Sequence, residues 1–207
     1  MLSDSALAEK IHCDRIDILV DLSGHSGQSR MSVFAWRAAP VQVSWLGYWA
    51  STGLEEIDYI IVDNISVPAE EACHFSEQVW YLPDTRLCFT TPPQEMQHLV
   101  AGSVPALTNG FVTFGSFQTI TKMNDATLAL WQKVLDCLPT ARLRLQSHAF
   151  GYADSIANMK KRLLKASIDP MRVDLLASTT WNAYMCAYSE VDIVLDTAPF
   201  PGGTTTA

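Results

Sequence analysis

The sequence predicts an α/β protein built on two parallel sheets in tandem. Three observations carry that expectation. Short β-branched apolar runs, such as Ile16-Asp17-Ile18-Leu19-Val20-Asp21-Leu22, alternate with segments of helical period. The runs read as apolar on both faces, as in a parallel sheet covered by helices on both sides. The alternation fails once, from Phe89 to Gly110, where Thr90, Thr91, Pro92, Pro93, Gly102 and Pro105 punctuate it, and then resumes.

In chain order, Ser3 to Cys13 reads as a short amphipathic helix with Leu7 and Ile11 on one face. The strand Ile16–Leu22 ends in Ser23-Gly24-His25-Ser26-Gly27, and a helix is predicted from Gln28 to Arg37. Val41–Leu46 is a second strand, followed by a loop with Gly47 and Gly53 at its ends. Ile57–Asp63 is a third. Pro68–Ala72 opens a short helix, with proline in the first turn and acids beside it. Gln78–Leu82 is a fourth strand. After the break, Phe111–Gly115 is a strand, and Ser116–Met123 is a loop containing Lys122. Asn124 or Asp125 caps a helix running to about Leu138, with Leu128, Trp131, Leu135 and Leu138 on one face. Leu143 and Leu145 alternate with Arg142, Arg144 and Gln146 in a strand. A basic helix spans Ala153–Ala166, a strand Arg172–Leu176, and a short helix Trp181–Tyr188. The last strand, Ile193-Val194-Leu195, reads as buried. It turns through Pro199 and Pro201 into Gly202-Gly203-Thr204-Thr205-Thr206, the composition of a loop entering a helix.

Charge and composition exclude several classes. Hydrophobic residues make up 48% of 207 and charged residues 17%, enough for a buried core and unlike a disordered tail. A net charge of −8 argues against a general nucleic-acid or anionic-membrane binder. No apolar run has the ~18 residues of a membrane span, and Met1–Ala6 lacks the pattern of a signal peptide. Five cysteines without a CxxC suit reduced thiols in the cytoplasm, and they are expected to be mostly buried and inert rather than metal ligands.

The residues that could carry chemistry sit on loops after strands, where open α/β sheets bind ligands. Lys122 could meet a phosphate there, or be a solvated surface lysine. Thr204 and Thr205 suit an anion at a helix start, or an ordinary N-cap. His25, between glycines, can titrate near neutral pH or serve the loop's structure. Arg30 follows one turn later as a site residue or a salt-bridged one. Gly47 and Gly53 bring backbone N–H groups near a ligand, or simply make a turn. No dinucleotide, P-loop or nucleophile-elbow motif is present. Asp21, Asp58, Asp63, Asp192 and Asp196 fall at strand ends without forming an acid/base pair.

Together these segments carry a resemblance. Ile16–Ser26, Phe34-Ala35-Trp36-Arg37-Ala38-Ala39-Pro40-Val41-Gln42-Val43-Ser44-Trp45-Leu46-Gly47-Tyr48, and Ser51-Thr52-Gly53 with Ile57-Asp58-Tyr59-Ile60 resemble the catalytic region of the O-linked N-acetylglucosamine transferase and SPINDLY-like family. So do Phe114-Gly115-Ser116-Phe117 with Lys122, and Val191–Thr197 with Pro201–Thr206, the Gly-Gly-Thr-Thr-Thr form being similar to the bacterial branch. The resemblance implies a GT-B glycosyltransferase with two Rossmann-like lobes, both incomplete here. It implies a UDP-sugar donor, usually UDP-N-acetylglucosamine, with no cofactor and no catalytic metal, and inverting transfer to a protein hydroxyl. It implies that Lys122 neutralises the leaving diphosphate, that Thr204 and Thr205 hold phosphates, and that Gly24, His25 and Arg30 lie near sugar and acceptor. Gly47 matches a glycine whose backbone faces the sugar, and Thr179 falls where backbone meets uracil. Tyr184 stands where many members have a histidine near the nucleotide, and Gly203 where animal members have another.

The organisation expected is residues 1–88 as the C-terminal part of a first lobe, 89–110 as a linker, and 111–207 as the N-terminal part of a second, nucleotide-binding lobe. The chain is expected to be an internal fragment of a bacterial, cytoplasmic member without the family's helical repeats. It would also lack the start of the first lobe and the acidic ribose ligand expected just past Ala207. The expected partners are a UDP-sugar and a protein acceptor, not nucleic acid or membrane. The alternative is a nucleotide-binding or scaffold module with no turnover.

Overall fold

The structure, a computed structural model, describes residues 2–48, 50–90, 102–203 and 206. The chain forms two compact units, Met1–Thr91 and Pro92–Ala207.

The first unit holds α1 (Asp4–Cys13), β1 (Ile18–Asp21), α2 (Met31–Phe34), β2 (Val41–Ser44), β3 (Tyr59–Val62) and β4 (Gln78–Tyr81). Its four strands are parallel in the order β1-β2-β3-β4. Helix α1 starts at Ser3, whose hydroxyl accepts from the Ala6 N–H at 3.2 Å and so satisfies one free donor of the first turn. Leu7, Ala8 and Ile11 pack on Leu19, Val33 and Ala38, while Ile60, Val62 and Val67 form the core near β4. Gln42 is fully buried and hydrogen-bonded throughout: its amide accepts from Ala38 N and donates to Phe34 O and Glu56 O.

Local backbone corrects three sequence expectations here. The helix expected over Gln28–Arg37 is only Met31–Phe34, because Gln28 (φ 63°) and Arg37 (φ 51°) take left-handed conformations that no helix propagates through. Strand β2 stops at Ser44, before Leu46 turns left-handed at φ 69°. The helix after Pro68 is a tighter 3-10 run, Ala69–His74. Strand β1 is also not apolar-and-covered on both faces: Ile18 and Val20 are 59% and 40% exposed.

The second unit holds α3 (Pro105–Asn109), β5 (Thr113–Ser116), α4 (Asp125–Cys137), β6 (Arg142–Gln146), α5 (Ala153–Lys165), β7 (Val173–Leu176), α6 (Trp181–Ala187) and β8 (Ile193–Val194). All pairings are parallel, in the order β7-β6-β5-β8. The core packs Leu128, Trp131 and Leu135 of α4 and Met159 and Leu163 of α5 onto Phe114, Leu143 and Leu145. Asn124 caps α4 by accepting from Thr127 N at 2.9 Å. At its other end, the Arg172 guanidinium donates to the carbonyls of Leu135, Leu138 and Ala141, where the helix dipole favours a cation.

Here too some expectations fail. Leu138 leaves the apolar face, 41% exposed, because it is the non-helical residue closing α4. Strand β8 is two residues long, and Ile193 and Val194 are 49% and 39% exposed, because it pairs only with β5 at the sheet edge. Helix α3 occupies part of the stretch read as a linker, started by Pro105 and ended by Gly110 at φ 75°. The cysteines are not buried: Cys13, Cys73, Cys88, Cys137 and Cys186 are all exposed free thiols, on helix ends and loops that the core does not reach.

The strand order positions a site. From β5 the chain winds outward to β6 and β7, then returns to add β8 on β5's other side. Such a reversal leaves a crevice at the carboxyl ends of β5 and β8, between which the winding changes direction.

Candidate functional site

In the second unit, Lys122 follows β5, and the run from Asp196 to Thr206 follows β8, so the two loops meet at this switch point. The Lys122 ammonium donates to the Pro201 carbonyl at 2.9 Å and to Gln118 Oε1 at 3.4 Å, and sits 4.6 Å from the Phe200 ring centroid. Asp196 organises the β8 loop. One carboxylate oxygen accepts from the Gly202 and Thr197 N–H groups, at 2.8 and 2.7 Å. The other accepts from the Thr206 hydroxyl at 3.2 Å, whose oxygen also accepts from Gln118 Nε2. A Cβ on Gly202 would overlap the Gln118 side chain and the Thr206 hydroxyl, so only glycine lets these loops touch. The start of the β8 loop is clamped from α4, with Asn124 and Thr127 donating to the Ala198 carbonyl and Trp131 Nε1 to Asp196 O.

Phe117, also after β5, stacks on Tyr188 at 4.0 Å and meets Tyr184 edge-on at 5.5 Å. Tyr184 thus joins the β5 loop through an aromatic cluster. Burial pushes the Tyr188 phenol up, helped by the hydrogen bond with Tyr184, so the Tyr188 hydroxyl stays neutral. Thr179, after β7, is exposed, and its hydroxyl donates to Thr180 O. Gly203 is half-buried, and its carbonyl accepts from Thr206 N at 3.0 Å in a turn. Thr204 and Thr205 lie outside the described residues.

In the first unit the loops after β1 and β2 pack closely. The buried Asp21 carboxylate accepts from the Ser23 and Gly24 N–H groups at 3.2 and 2.7 Å, turning the chain out of β1. Gly24 (φ 53°) lies against the Tyr48 side chain, where a Cβ would collide. Gly47 presses against the Leu22 carbonyl in the same way. His25 meets Tyr48 edge-on at 5.7 Å, and its Nε2 lies 2.7 Å from the Thr52 carbonyl. His25 and Gly47 are therefore brought together. Arg30 is turned elsewhere: Nε donates to Asp4 Oδ1 at 2.6 Å and Nη2 to Leu2 O, the salt-bridged alternative. Hydrogen bonds from Ser32 and Arg30 hold the Asp4 carboxyl below its usual range.

Behind these loops lies Arg86, which donates to Leu46 O and Ser66 Oγ while its N–H donates to Asp63. Burial pushes the Asp63 carboxyl up, but the N–H groups of Arg86, Ser66 and Ile65 outweigh it and hold the pKa at about 2. The sequence expectations include neither Gln118 nor Phe200, nor the hub role of Asp196. Asp196 at a strand end was a usable signal; Gln118 and Phe200 had none. Among the described residues no cluster of histidine, cysteine and carboxylate could hold a metal ion.

The family model for Glycosyl transferase family 41 matches residues 2–106. The chain belongs to glycosyl transferase family 41. This family 41 chain is similar to the probable UDP-N-acetylglucosamine–peptide N-acetylglucosaminyltransferase SPINDLY of Petunia hybrida, at 39% identity over 99% of the chain. The Arabidopsis thaliana SPINDLY is 40% identical over the same share. The chain spans 22% of the length of each of these relatives. A mutant Thermobaculum terrenum O-GlcNAc transferase superposes with a TM-score of 0.88 at 34% identity, covering 99% of this chain and 38% of that one. The two parallel α/β units thus have the fold of this transferase, of GT-B type. Anabaena Alr3699/HepE, solved with UDP and glucose, shares the fold alone at 15% identity and a TM-score of 0.58, over 97% of this chain and 58% of that one.

Proposed function

We propose that the protein is part of a glycosyltransferase that moves N-acetylglucosamine from a UDP-sugar to a serine or threonine hydroxyl of a protein, with inversion and without a catalytic metal. The observation that carries the reading is the meeting of Lys122 with the β8 loop at the switch point of the second unit. Family membership and the printed activities of the relatives support the substrate class.

In such a reaction the acceptor oxygen attacks the anomeric carbon as the carbon–oxygen bond to the diphosphate breaks, and UDP leaves with the bonding pair. Negative charge grows on the leaving diphosphate, and a fixed ammonium with N–H groups beside it stabilises that charge. Lys122 is poised for this role, because it now rests on a neutral carbonyl and a ring, partners that a phosphate outcompetes. Thr204, Thr205 and Gly203 would hold the phosphates, with Thr179 and Tyr184 on the nucleoside side. Gly47 would face the sugar. His25 would accept the acceptor's proton, with Arg30 near the acceptor once released from Asp4. The five dispersed free thiols fit the cytoplasm as the compartment.

Isothermal titration of UDP tests the reading. A unit charge pair about 4 Å apart at an effective dielectric of 20 is worth about 4 kcal/mol, which solvent at this half-open site cuts to roughly 1.5–3 kcal/mol. Lys122→Ala should therefore weaken UDP about 10–100-fold. Equal affinity for the two proteins would remove Lys122 from the site.

A further inference from the structure

Glu77 is a buried carboxylate that the proposed chemistry leaves unused. It is 4% exposed and sits just before β4. Neutral donors, not a cation, satisfy it. One oxygen accepts from the Thr52 N–H at 2.6 Å and also from the Thr52 hydroxyl; the other accepts from Ser51 Oγ at 2.9 Å and Ser76 Oγ at 3.2 Å. Burial pushes its pKa up, but these hydrogen bonds outweigh burial and hold it below the ordinary value, so it is ionised at neutral pH. Every partner but Ser76 lies on the loop after β2. That loop also reaches His25, whose Nε2 lies 2.7 Å from the Thr52 carbonyl.

A carbonyl can only accept, so the proton of the neutral imidazole must sit on Nε2. The Nδ1 lone pair is then free, and among the described residues it has no hydrogen-bond partner, while the ring as a whole is exposed. The same logic orients histidines in acid–base sites, where a hydrogen bond to one nitrogen decides what the other can do.

We infer that Glu77 is a positioning residue: by gripping Thr52 it holds the carbonyl that locks His25 in its Nε2–H form and presents Nδ1 as the proton acceptor. The inference deepens the proposed function, because Nδ1 matters only if His25 meets the acceptor hydroxyl. Loss of the carboxylate would strand two Thr52 donors, release the loop and leave the His25 Nε2–H without a fixed partner.

Nitrogen-15 NMR of the histidine side chains tests this directly, with His25→Gln assigning the resonance. The wild-type chain should show His25 as the Nε2–H form with a protected imidazole proton. Glu77→Ala should speed exchange of that proton about tenfold, what losing one net hydrogen bond produces. Glu77→Gln, whose amide oxygen still accepts from Thr52, should restore most of the protection. Asp63→Asn, which removes a second buried carboxylate elsewhere in the unit, should leave it unchanged. If Glu77→Ala does not fold, Thr52→Val, which deletes the hydroxyl bond to Glu77 together with the weaker one accepted from the Leu54 N–H, takes its place and should speed exchange severalfold. Unchanged protection in a folded Glu77→Ala or Thr52→Val chain, or a wild-type His25 protonated on Nδ1, overturns the inference. The measurement uses neither donor nor acceptor, so a failure to bind UDP would count against the proposed function alone.

Discussion

Substituting Gly47 by alanine probes the closest backbone approach beside the candidate site. Gly47 does not take a left-handed φ, so the cost is steric and not torsional. A Cβ there would lie well inside 3.0 Å of the Leu22 carbonyl oxygen and 3.0 Å from its carbon. Leu22 cannot simply swing away. It directly follows β1, whose register with β2 runs Ile18–Asp21 against Val41–Ser44, and the Trp45 N–H donates to Asp21 O at 2.9 Å. Restoring ordinary contact needs a shift of roughly 1 Å in one of two anchored segments, and overpacking of this kind costs about 3 kcal/mol. Urea unfolding of the chain should then show the first unit's transition about 1.5 M lower, at a slope of about 2 kcal/mol/M. Gly27, where an added Cβ meets nothing within 4 Å, is the matched control, and Gly27→Ala should move the midpoint by less than about 0.3 M. A Gly47→Ala midpoint within that same margin would refute the claim that the Leu22 backbone excludes a side chain here.

Two further outcomes are expected. The folded pKa of Asp63, about 2, lies below the unfolded value, so its contribution is present above about pH 4 and is lost as pH falls towards 2. Asp63→Asn should cost about 1–2 kcal/mol at pH 7, allowing for solvent screening, and almost nothing at pH 2, as chemical denaturation at the two pH values would read. A thiol-specific reagent should titrate all five cysteines in the folded chain without denaturant, since each is exposed; a count of one or two would support buried thiols instead.

Much of this protein was legible one element at a time. Ser3 and Asn124 signal their helices because capping is a local bargain between one side chain and the next turn. Each strand announces itself by an apolar run, and the long motifs around Gly24–His25, Trp45–Gly47 and Gly202–Thr206 carry the family. Element ends were less legible. Gln28, Arg37 and Leu46 have side chains that favour no left-handed turn, and only their packed surroundings impose one. Ile193, Val194 and the cysteines are exposed where their polarity predicts burial, because polarity says what a residue tolerates, not what lies above it.

The sequence by itself determined the alternation of strands and helices, the cap at Asn124, and the family to which the chain belongs. Those depend on residues within a few positions of one another, where propensity and hydrogen bonding act without help. Only the tertiary structure decided which loops meet. Lys122 reaches Pro201 across 79 positions because β8 returns to the free side of β5. Glu77 reads in sequence as one more acid in a polar turn; the parallel register of β3 and β4 carries it to the loop after β2, where burial leaves the Thr52 and Ser51 donors no water to turn to. Contacts of that kind arise from strand order and packing, which local chemistry permits but does not specify.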